Sequence, residues 1–157
     1  MSAGVIDNTV LSNFANVQQP SLLEQAFDNL VSVPAVMEEL AIGQEGGLIP
    51  TVEWSWLSII ELTTSEKMLS QEIGQVLGRG EAECIAVAQS RALFVLSDDR
   101  DARRIAQSKG IVVTGTLGVL MNLVRLDIQS LQDADELLQI MRLRGYRCPI
   151  SSLTELN

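Results

Sequence analysis

The sequence predicts one α/β domain, built as three layers around a mainly parallel sheet. Short apolar strand patterns alternate with amphipathic helix patterns along the chain, and that order is typical of parallel sheets. The length of 157 residues is that of one ordinary domain, and a hydrophobic content of 46% is enough to bury a sizeable core. No repeat, low-complexity segment or linker interrupts the pattern, so we expect a single domain over residues 1–157.

The strand predictions rest on short apolar runs. The clearest is ALFVLS, which leads directly into the helix pattern DDRDARRIAQSKG. The run WSWLSIIEL is β-branched and aromatic, although it also fits a helix. The predicted strands are residues 4–7, 31–34, 54–62, 92–97 and 111–115.

The helix predictions rest on periodicity and on residues that begin or end helices. Pro20 and Ser21 favour a helix start, and Thr63 and Glu66 have the spacing of a capping box. Gly110 is placed to end a helix, as are the paired glycines after GQE. The predicted helices are residues 10–17, 21–30, 35–47, 67–77, 80–91, 98–110, 116–126 and 133–146, before a tail that ends at residue 157.

The composition narrows the chemistry. The chain has no histidine, which removes Ser-His-Asp and Cys-His catalysis and argues against a zinc site. Its net charge is −9, and residues 1–66 hold nine acids but no Lys or Arg. This balance opposes nucleic-acid binding, because phosphate contacts normally need a basic face.

The chain carries no sign of a membrane or an export pathway. No apolar run reaches the roughly 18 residues of a membrane span, and the N-terminus lacks the basic flank of a signal peptide. The two cysteines, Cys84 and Cys148, are too few for a disulfide framework. We therefore expect a cytoplasmic protein with no membrane partner.

Acidic residues follow two of the predicted strands. Asp7 closes the first strand, and Asp98 and Asp99 close the strand ALFVLS. Carboxyl ends of parallel strands meet at one edge of the sheet, where ligands bind. Helical acids can reach the same edge, and carboxylates that converge without histidine suit Mg²⁺ or Mn²⁺. The candidate acids are Asp7, Glu39, Glu81, Asp98, Asp99 and Asp101.

Each acid also has a local explanation, and Asp7 has the weakest one. Asp98 or Asp99 would serve as the N-cap of the helix that follows. Glu81 would complement its helix dipole, and Glu39 would lie on a solvated face. A carboxylate at the end of a buried strand, as Asp7 is, needs a partner, because an unpaired buried charge costs several kcal/mol.

Five segments together resemble the successive motifs of PIN-domain proteins, in particular the prokaryotic branch related to VapC toxins. The segments are VIDNTVLSNF, VPAVMEEL, GRGEAECIAVA, LSDDRDARRIA and VTGTLGVL, over about residues 4–125. The resemblance implies an α/β/α sandwich around a parallel sheet, which agrees with the pattern above. It leaves the C-terminal helix and tail, residues 133–157, outside the motifs.

The resemblance also implies which acids hold the metal. The family's first three acids match Asp7, Glu39 and Glu81, although the third is Asp in many relatives. The fourth matches Asp99, since a small hydroxyl residue, any residue and then Asp is the usual pattern; Asp98 or Asp101 could share that role.

The activity implied is that of a Mg²⁺- or Mn²⁺-dependent ribonuclease, usually the toxin of a toxin–antitoxin pair, which hydrolyses RNA phosphodiesters with metal-activated water. The resemblance further implies homodimers, and the acidic first 66 residues suit a basic partner such as an antitoxin segment. Candidate contacts to RNA or water are Ser12, Ser97, Arg100, Arg103 and Arg104. A second arginine cluster has no predicted role; its members are Arg142, Arg144 and Arg147.

Two other functions remain open from the sequence. A PIN-like fold could keep its acids and work as a non-catalytic protein-interaction module. A nuclease or phosphatase that acts on another phosphate substrate would share the same metal chemistry. Metal binding would distinguish a metal-dependent enzyme from the interaction module. The identity of the substrate would distinguish a ribonuclease from an enzyme that acts on another phosphate substrate.

Overall fold

A five-stranded sheet whose strands all run in the same direction forms the centre of the protein. The computed structural model describes residues 3–156. Its strand order is β3-β2-β1-β4-β5, so the first strand of the chain lies in the middle. The strands are β1 (Ala3–Ile6), β2 (Asn29–Ser32), β3 (Ser58–Ile59), β4 (Phe94–Leu96) and β5 (Val113–Thr114).

Helices cover the sheet, and most of them begin and end near the predicted positions. Thr63 forms the predicted capping box with Glu66, and Ser130 caps the last long helix through the N–H of Asp133. Within the described residues the helices are α1 (Asn8–Asn16), α2 (Ser21–Ala26), α3 (Pro34–Glu45), α4 (Thr64–Ile73), α5 (Arg79–Arg91), α6 (Arg100–Ser108), α7 (Thr116–Arg125), α8 (Leu131–Leu143) and a 3-10 helix (Leu153–Leu156).

The helices form two groups. Helix α5 packs against β1 and β4, and it also contacts α3, α4 and α6. In the second group α7 contacts α2, α8 and β5, while α1 touches both α3 and α8. Val5, Ile6 and Leu96 from the central strands are buried in the core between them. The predicted three-layer α/β/α sandwich is confirmed, and the sheet is wholly parallel.

The second helix is shorter than predicted, because its last residues join the sheet. The sequence pattern predicts a helix over 21–30, but α2 ends at Ala26 and Phe27 is extended. The rings of Phe27 and Phe94 lie 5.2 Å apart between centroids, and Leu30 pairs with Gly4 of β1. Pairing and burial across the sheet therefore override the local helical preference.

The predicted strand over residues 54–62 is also much shorter. Only Ser58 and Ile59 pair with β2, at the edge of the sheet. Trp54 and Trp56 precede this strand; they pack edge-on at 6.2 Å between ring centroids and lie half-buried against the core. The run is apolar because these indoles cover the core from an irregular segment.

The C-terminal tail is packed against the last long helix. Leu153 is fully buried, and its backbone N–H donates to Asp135 Oδ1 at 2.7 Å. Gly145, with a φ of +109°, turns the chain after α8, so that Tyr146 lies half-buried against the core. In residues 3–156, no helix has the length and apolar character that crossing a membrane requires.

Candidate functional site

Asp7 lies at the centre of the carboxyl edge of the sheet and is almost completely buried. Its side chain is 2% exposed. Oδ1 accepts hydrogen bonds from the N–H and the hydroxyl of Thr9 and from the N–H of Val10, so Asp7 is the N-cap of α1. Burial raises the pKa of Asp7 from its ordinary value of 3.8 to about 7, against the hydrogen bonds from Ser97 and Thr9. Asp7 is thus a carboxylate that needs a positive partner when it is ionised.

Ser97 connects the two strand ends. Ile6 and Leu96 are paired across β1 and β4, so the residues that follow them, Asp7 and Ser97, stand side by side. The Ser97 hydroxyl donates to Asp7 Oδ2 at 2.5 Å and accepts from the N–H of Asp99 at 3.1 Å. Ser97 is itself buried. It was predicted as a contact to RNA or water, but its observed contacts are those of a residue that positions Asp7 and Asp99.

Asp99 and Asp101 belong to the first turn of α6. Asp99 is the N-cap, and its Oδ1 accepts from the N–H of Asp101 at 3.3 Å. Asp101 is exposed and forms a surface ion pair with Arg104 at 3.4 Å. The local explanation of Asp99 as a helix cap is confirmed, and it uses only one of the two carboxylate oxygens.

Asp98 points to a different helix. Its Oδ1 accepts from the N–H of Thr116 at 2.8 Å, and Oδ2 accepts from the Thr116 hydroxyl and from Asn13 Nδ2. Burial raises the pKa of Asp98, and these hydrogen bonds oppose the rise. Gly115 occupies the N-cap position of α7 without a side-chain cap, so Asp98 caps this helix from the neighbouring strand. Thr116 is itself the first residue of α7.

Glu39 reaches the site from α3 and is held by the first turn of α5. Its Oε1 accepts a hydrogen bond from the N–H of Gly80 at 3.1 Å. A Cβ at Gly80 would lie 2.6 Å from that oxygen, so glycine is what allows the carboxylate to approach the helix. Oε2 of Glu39 has no hydrogen-bond partner within residues 3–156.

Glu81 lies in the first turn of α5 beside Glu39. Its Oε2 accepts from the N–H of Gly78 at 3.1 Å. This is the hydrogen bond that the acid makes in a capping box; the reciprocal bond is missing because Gly78 has no side chain. The pKa of Glu81 is raised, first by burial and then by the negative charges of Asp99, Glu39 and Asp101. The structure therefore brings Glu81, Glu39 and Asp99 within electrostatic reach of one another.

The acids have the donor chemistry of a divalent cation site, but they do not close around one point. All donors are carboxylate oxygens, and in the described part of the chain Glu39 Oε2, Glu81 Oε1 and Asp99 Oδ2 accept no hydrogen bond. Among residues 3–156, however, no three Asp, Glu, Cys or His side chains form a group that could hold a metal ion as they stand.

The predicted contacts to substrate have different partners in the structure. Arg103 is half-buried and its Nη1 donates to the backbone oxygen of Ser97 at 2.9 Å. Arg100 is exposed, and Arg104 is turned toward Asp101. Ser12 faces back along α1, where its hydroxyl donates to Asn8 Oδ1 at 3.1 Å. Of the three predicted arginines, Arg103 is the one that donates a hydrogen bond to Ser97, whose hydroxyl in turn donates to Asp7.

Sequence reasoning missed the backbone donors and one further acid. Gly78 and Gly80 flank Arg79 in the motif GRGE, and their spacing before an acid was the available signal. Glu83, one turn further along α5, accepts from the N–H of Ala35 at 3.2 Å and lies 3.5 Å from Arg79 Nε. It fastens the start of α3, which carries Glu39.

Comparisons with known proteins agree with this architecture. A family model described as a PIN domain matches residues 3–156. Among solved structures, the chain is similar to the crystal structure of PAE2754 from Pyrobaculum aerophilum, with a TM-score of 0.51 and 21% identity over 82% of this chain and 100% of that chain. At that identity the likeness concerns the fold. No curated protein matches the sequence.

Proposed function

Because the chain belongs to the PIN-domain family, we propose that it is a metal-dependent endoribonuclease that hydrolyses RNA phosphodiester bonds. PIN domains are generally nucleases that use divalent metal ions. The observation that supports this activity best is the position of Asp7, Glu39, Glu81 and Asp99, which come from four elements to one edge of the sheet.

These four acids are the residues that would hold Mg²⁺ or Mn²⁺. Both ions prefer oxygen ligands, and the free oxygens of Glu39, Glu81 and Asp99 supply them. A bound ion would lower the pKa of its water and offset charge on the phosphate oxygens. Glu39 and Glu81 are each held through one oxygen by one backbone hydrogen bond, which positions the carboxylate and leaves its second oxygen for the ion.

The surrounding residues prepare the carboxylates for this role. Ser97 holds Asp7 and the backbone of Asp99 in one arrangement, and Thr9 fixes the other oxygen of Asp7. Asp98 is occupied by Thr116 and Asn13, so we assign it to the fold. Asp99 is accordingly our choice for the fourth ligand.

Cleavage of RNA by the purified protein tests the proposal directly. Total RNA is incubated with Mn²⁺ or with chelator, and the new ends are mapped by sequencing. We expect cuts that disappear with chelator and in Asp99→Asn. Asp101→Asn is the matched control, because Asp101 lies in the same turn but pairs with Arg104 at the surface; it should cleave normally.

Failure of this experiment has a defined meaning. A folded protein that neither cleaves RNA nor binds Mn²⁺ would contradict the proposal and favour a protein-interaction module. The spacing of the acids, which leaves no ready metal group among residues 3–156, is the observation that supports that alternative. If the protein binds Mn²⁺ but cleaves only another phosphate substrate, the proposed metal site stands and the assignment of RNA as the substrate is wrong.

We extend the proposal to a biological role, that of a cytoplasmic homodimeric toxin restrained by a basic antitoxin. The nine acids and absent basic residues of positions 1–66 support a basic partner. Expression in a bacterial host should arrest growth, and Asp99→Asn should not. Sedimentation of the purified protein tests the dimer. Unimpaired growth with active ribonuclease in the cell would rule out the toxin role.

A further inference from the structure

Two adjoining clefts form a groove beside the acid cluster. The first has a volume of about 370 Å³ and lies between the end of β5, the start of α7 and the C-terminal tail. The second, of about 490 Å³, continues along the end of α8. Tyr146 and Arg147 line both clefts, so the two volumes are neighbours. We call them together the C-terminal groove.

The C-terminal groove begins next to the proposed metal ligands. Asp98 and Arg103 line its first cleft. Arg103 donates to the backbone oxygen of Ser97, whose hydroxyl binds Asp7. Asp99 follows Asp98 directly in the chain. The first cleft therefore adjoins residues that position Asp7 and that precede Asp99 in the chain.

The charge of the groove is opposite to that of the whole chain. Arg103 and Arg147 form no ion pair within residues 3–156, and Arg142 donates only to the neutral acceptors Gln139 Oε1 and the Ser151 carbonyl. In a protein with a net charge of −9, three such guanidinium groups along one groove mark a site for an anion.

The one carboxylate that lines the groove is already occupied. Both oxygens of Asp98 accept hydrogen bonds from Thr116, and Oδ2 also accepts one from Asn13. Asp98 is thus held against α7. Within residues 3–156 the Arg147 guanidinium makes no hydrogen bond, and Arg103 and Arg142 are each bonded through Nη1 only. Their other N–H groups can meet phosphate, as guanidinium donors do in nucleic-acid sites.

Tyr146 supplies the groove with an aromatic ring at a defined place. It is half-buried, its N–H donates to the Met141 carbonyl at 3.0 Å, and it lies where the two clefts meet. An aromatic ring beside guanidinium groups is the arrangement that binds unpaired bases, which stack on the ring while phosphates contact the cations.

We propose that the C-terminal groove binds a single-stranded segment of the RNA on one side of the cleaved phosphate. Tyr146 stacks on a base, and Arg103, Arg142 and Arg147 contact the backbone. This inference rests on the proposed ribonuclease function. It gives a role to Arg142 and Arg147 of the second arginine cluster, and it separates Arg147, which lines both clefts, from its near neighbour Arg144, which lines neither.

Binding of a fluorescent single-stranded RNA to the full chain, with chelator present to prevent cleavage, tests the groove. Arg147→Gln should weaken binding about tenfold and make the slope of log affinity against log salt shallower by about 0.7, the value for one lost phosphate contact. Arg144→Gln is the matched control and should change neither quantity. Equal effects of the two substitutions would overturn the proposal, since they would reflect net charge alone.

The stacking role needs its own variants. Tyr146→Leu should weaken binding of the single strand about tenfold without changing the salt slope, whereas Tyr146→Phe should bind like the original protein because its ring remains. Thermal unfolding verifies that both variants fold. A duplex of the same sequence should bind more weakly, and its affinity should be the same for Tyr146→Leu as for the original protein. A duplex that binds as well as the single strand would contradict the assignment.

Cleavage kinetics separate failure of this inference from failure of the proposed function. If both are right, Tyr146→Leu and Arg147→Gln raise KM and leave kcat and the Mn²⁺-dependent rise in Tm unchanged. If both variants cleave RNA with the kinetics of the original protein, the proposed role of the groove is wrong, while the ribonuclease assignment stands. If the variants change RNA binding as predicted but the protein does not cleave RNA, the groove is an RNA-binding site and the ribonuclease assignment is wrong.

Discussion

The N–H of Gly80 holds the carboxylate of Glu39 at 3.1 Å, and no other residue type would leave room for it there. A Cβ at position 80 would meet Glu39 Oε1 at 2.6 Å, while the backbone of Gly80 is ordinary helix within α5. The contact therefore joins α3 and α5 through a proposed ligand, and its loss would move the ligand without removing its charge.

Gly80→Ala should reduce RNA cleavage by one to two orders of magnitude, because misplacement of a reacting group by about 1 Å has effects of that size. The free energy of unfolding should change little, since Ala is favoured in helices. Cleavage rates and Tm values, measured together, give both results. Gly46→Ala, at the far end of α3, serves as control. Normal cleavage by Gly80→Ala would show that the position of Glu39 is unimportant.

The buried carboxyl of Asp7 predicts an unusual dependence of stability on pH. Its pKa is raised from 3.8 to about 7, so the folded state binds the proton more tightly than the unfolded state. This contribution to stability is complete below about pH 4 and is lost as pH rises through about 7. In Asp7→Asn the amide oxygen can keep the bonds from Thr9, and the amide nitrogen can donate to Ser97 Oγ in a reversed bond, without a charge.

The Asp7→Asn variant should therefore exceed the original protein in stability, and by more at high pH. With chelator present, we expect its advantage in unfolding free energy to grow by about 2.6 kcal/mol between pH 5 and pH 8. Urea unfolding at both pH values measures it. A constant difference would mean that Asp7 titrates as an exposed acid.

Mn²⁺ should stabilise the folded protein. An ion at 100 times its dissociation constant adds about 2.7 kcal/mol to the unfolding free energy. Asp99→Asn should lose most of this gain, while the control Asp101→Asn keeps it, because Asp101 is paired with Arg104. Thermal unfolding at increasing Mn²⁺ gives the comparison. The same gain in all three proteins would place the ion elsewhere.

Asp98 and Asp99 should respond to substitution in opposite ways. Asp98→Ala leaves the hydroxyl and N–H of Thr116 without their acceptor and removes one of the two acceptors of the Asn13 amide, and it should cost about 1–3 kcal/mol of unfolding free energy. Asp99→Asn keeps a capping oxygen for α6 and should leave stability nearly unchanged while it abolishes cleavage. An active, destabilised Asp99→Asn beside an inactive, stable Asp98→Ala would reverse our assignment.

The ion pair of Glu66 and Arg91 fastens α4 to α5 away from the site. Glu66 is 1% exposed, accepts from Arg91 Nε at 2.8 Å and from Nη2 at 2.9 Å, and its pKa is lowered to about 2, first by Arg91. Arg91→Leu should cost about 1–3 kcal/mol at pH 7, because it leaves Glu66 unpaired.

This cost should depend on pH in the opposite sense to that of Asp7. A lowered pKa stabilises the fold above the ordinary value of 4.5, and this stabilisation is lost as pH falls toward 2. Urea unfolding at pH 7 and pH 3 should therefore show a smaller gap between Arg91→Leu and the original protein at pH 3. A gap of the same size would mean that Arg91 acts through packing alone.

Local patterns were sufficient for the architecture. The alternation of strands and helices predicted the parallel sheet, and the acid after each of two buried strands placed Asp7 and Asp99 at its carboxyl edge. Such features depend on side-chain period and chain direction, which neighbouring residues already determine. The capping box of Thr63 and Glu66 was predicted for the same reason.

Tertiary structure alone decided the roles within that edge. Asp98 and Asp99 are adjacent acids with the same local context, and only the position of α7 turns one of them toward Thr116. The end of α2 at Ala26 depended on a strand far away in the chain. The hydrogen bond from Gly80 to Glu39 joins residues far apart in the chain, and so does the cleft that Tyr146 and Arg103 both line. The free energy of such contacts depends on distances between side chains that no local sequence pattern contains.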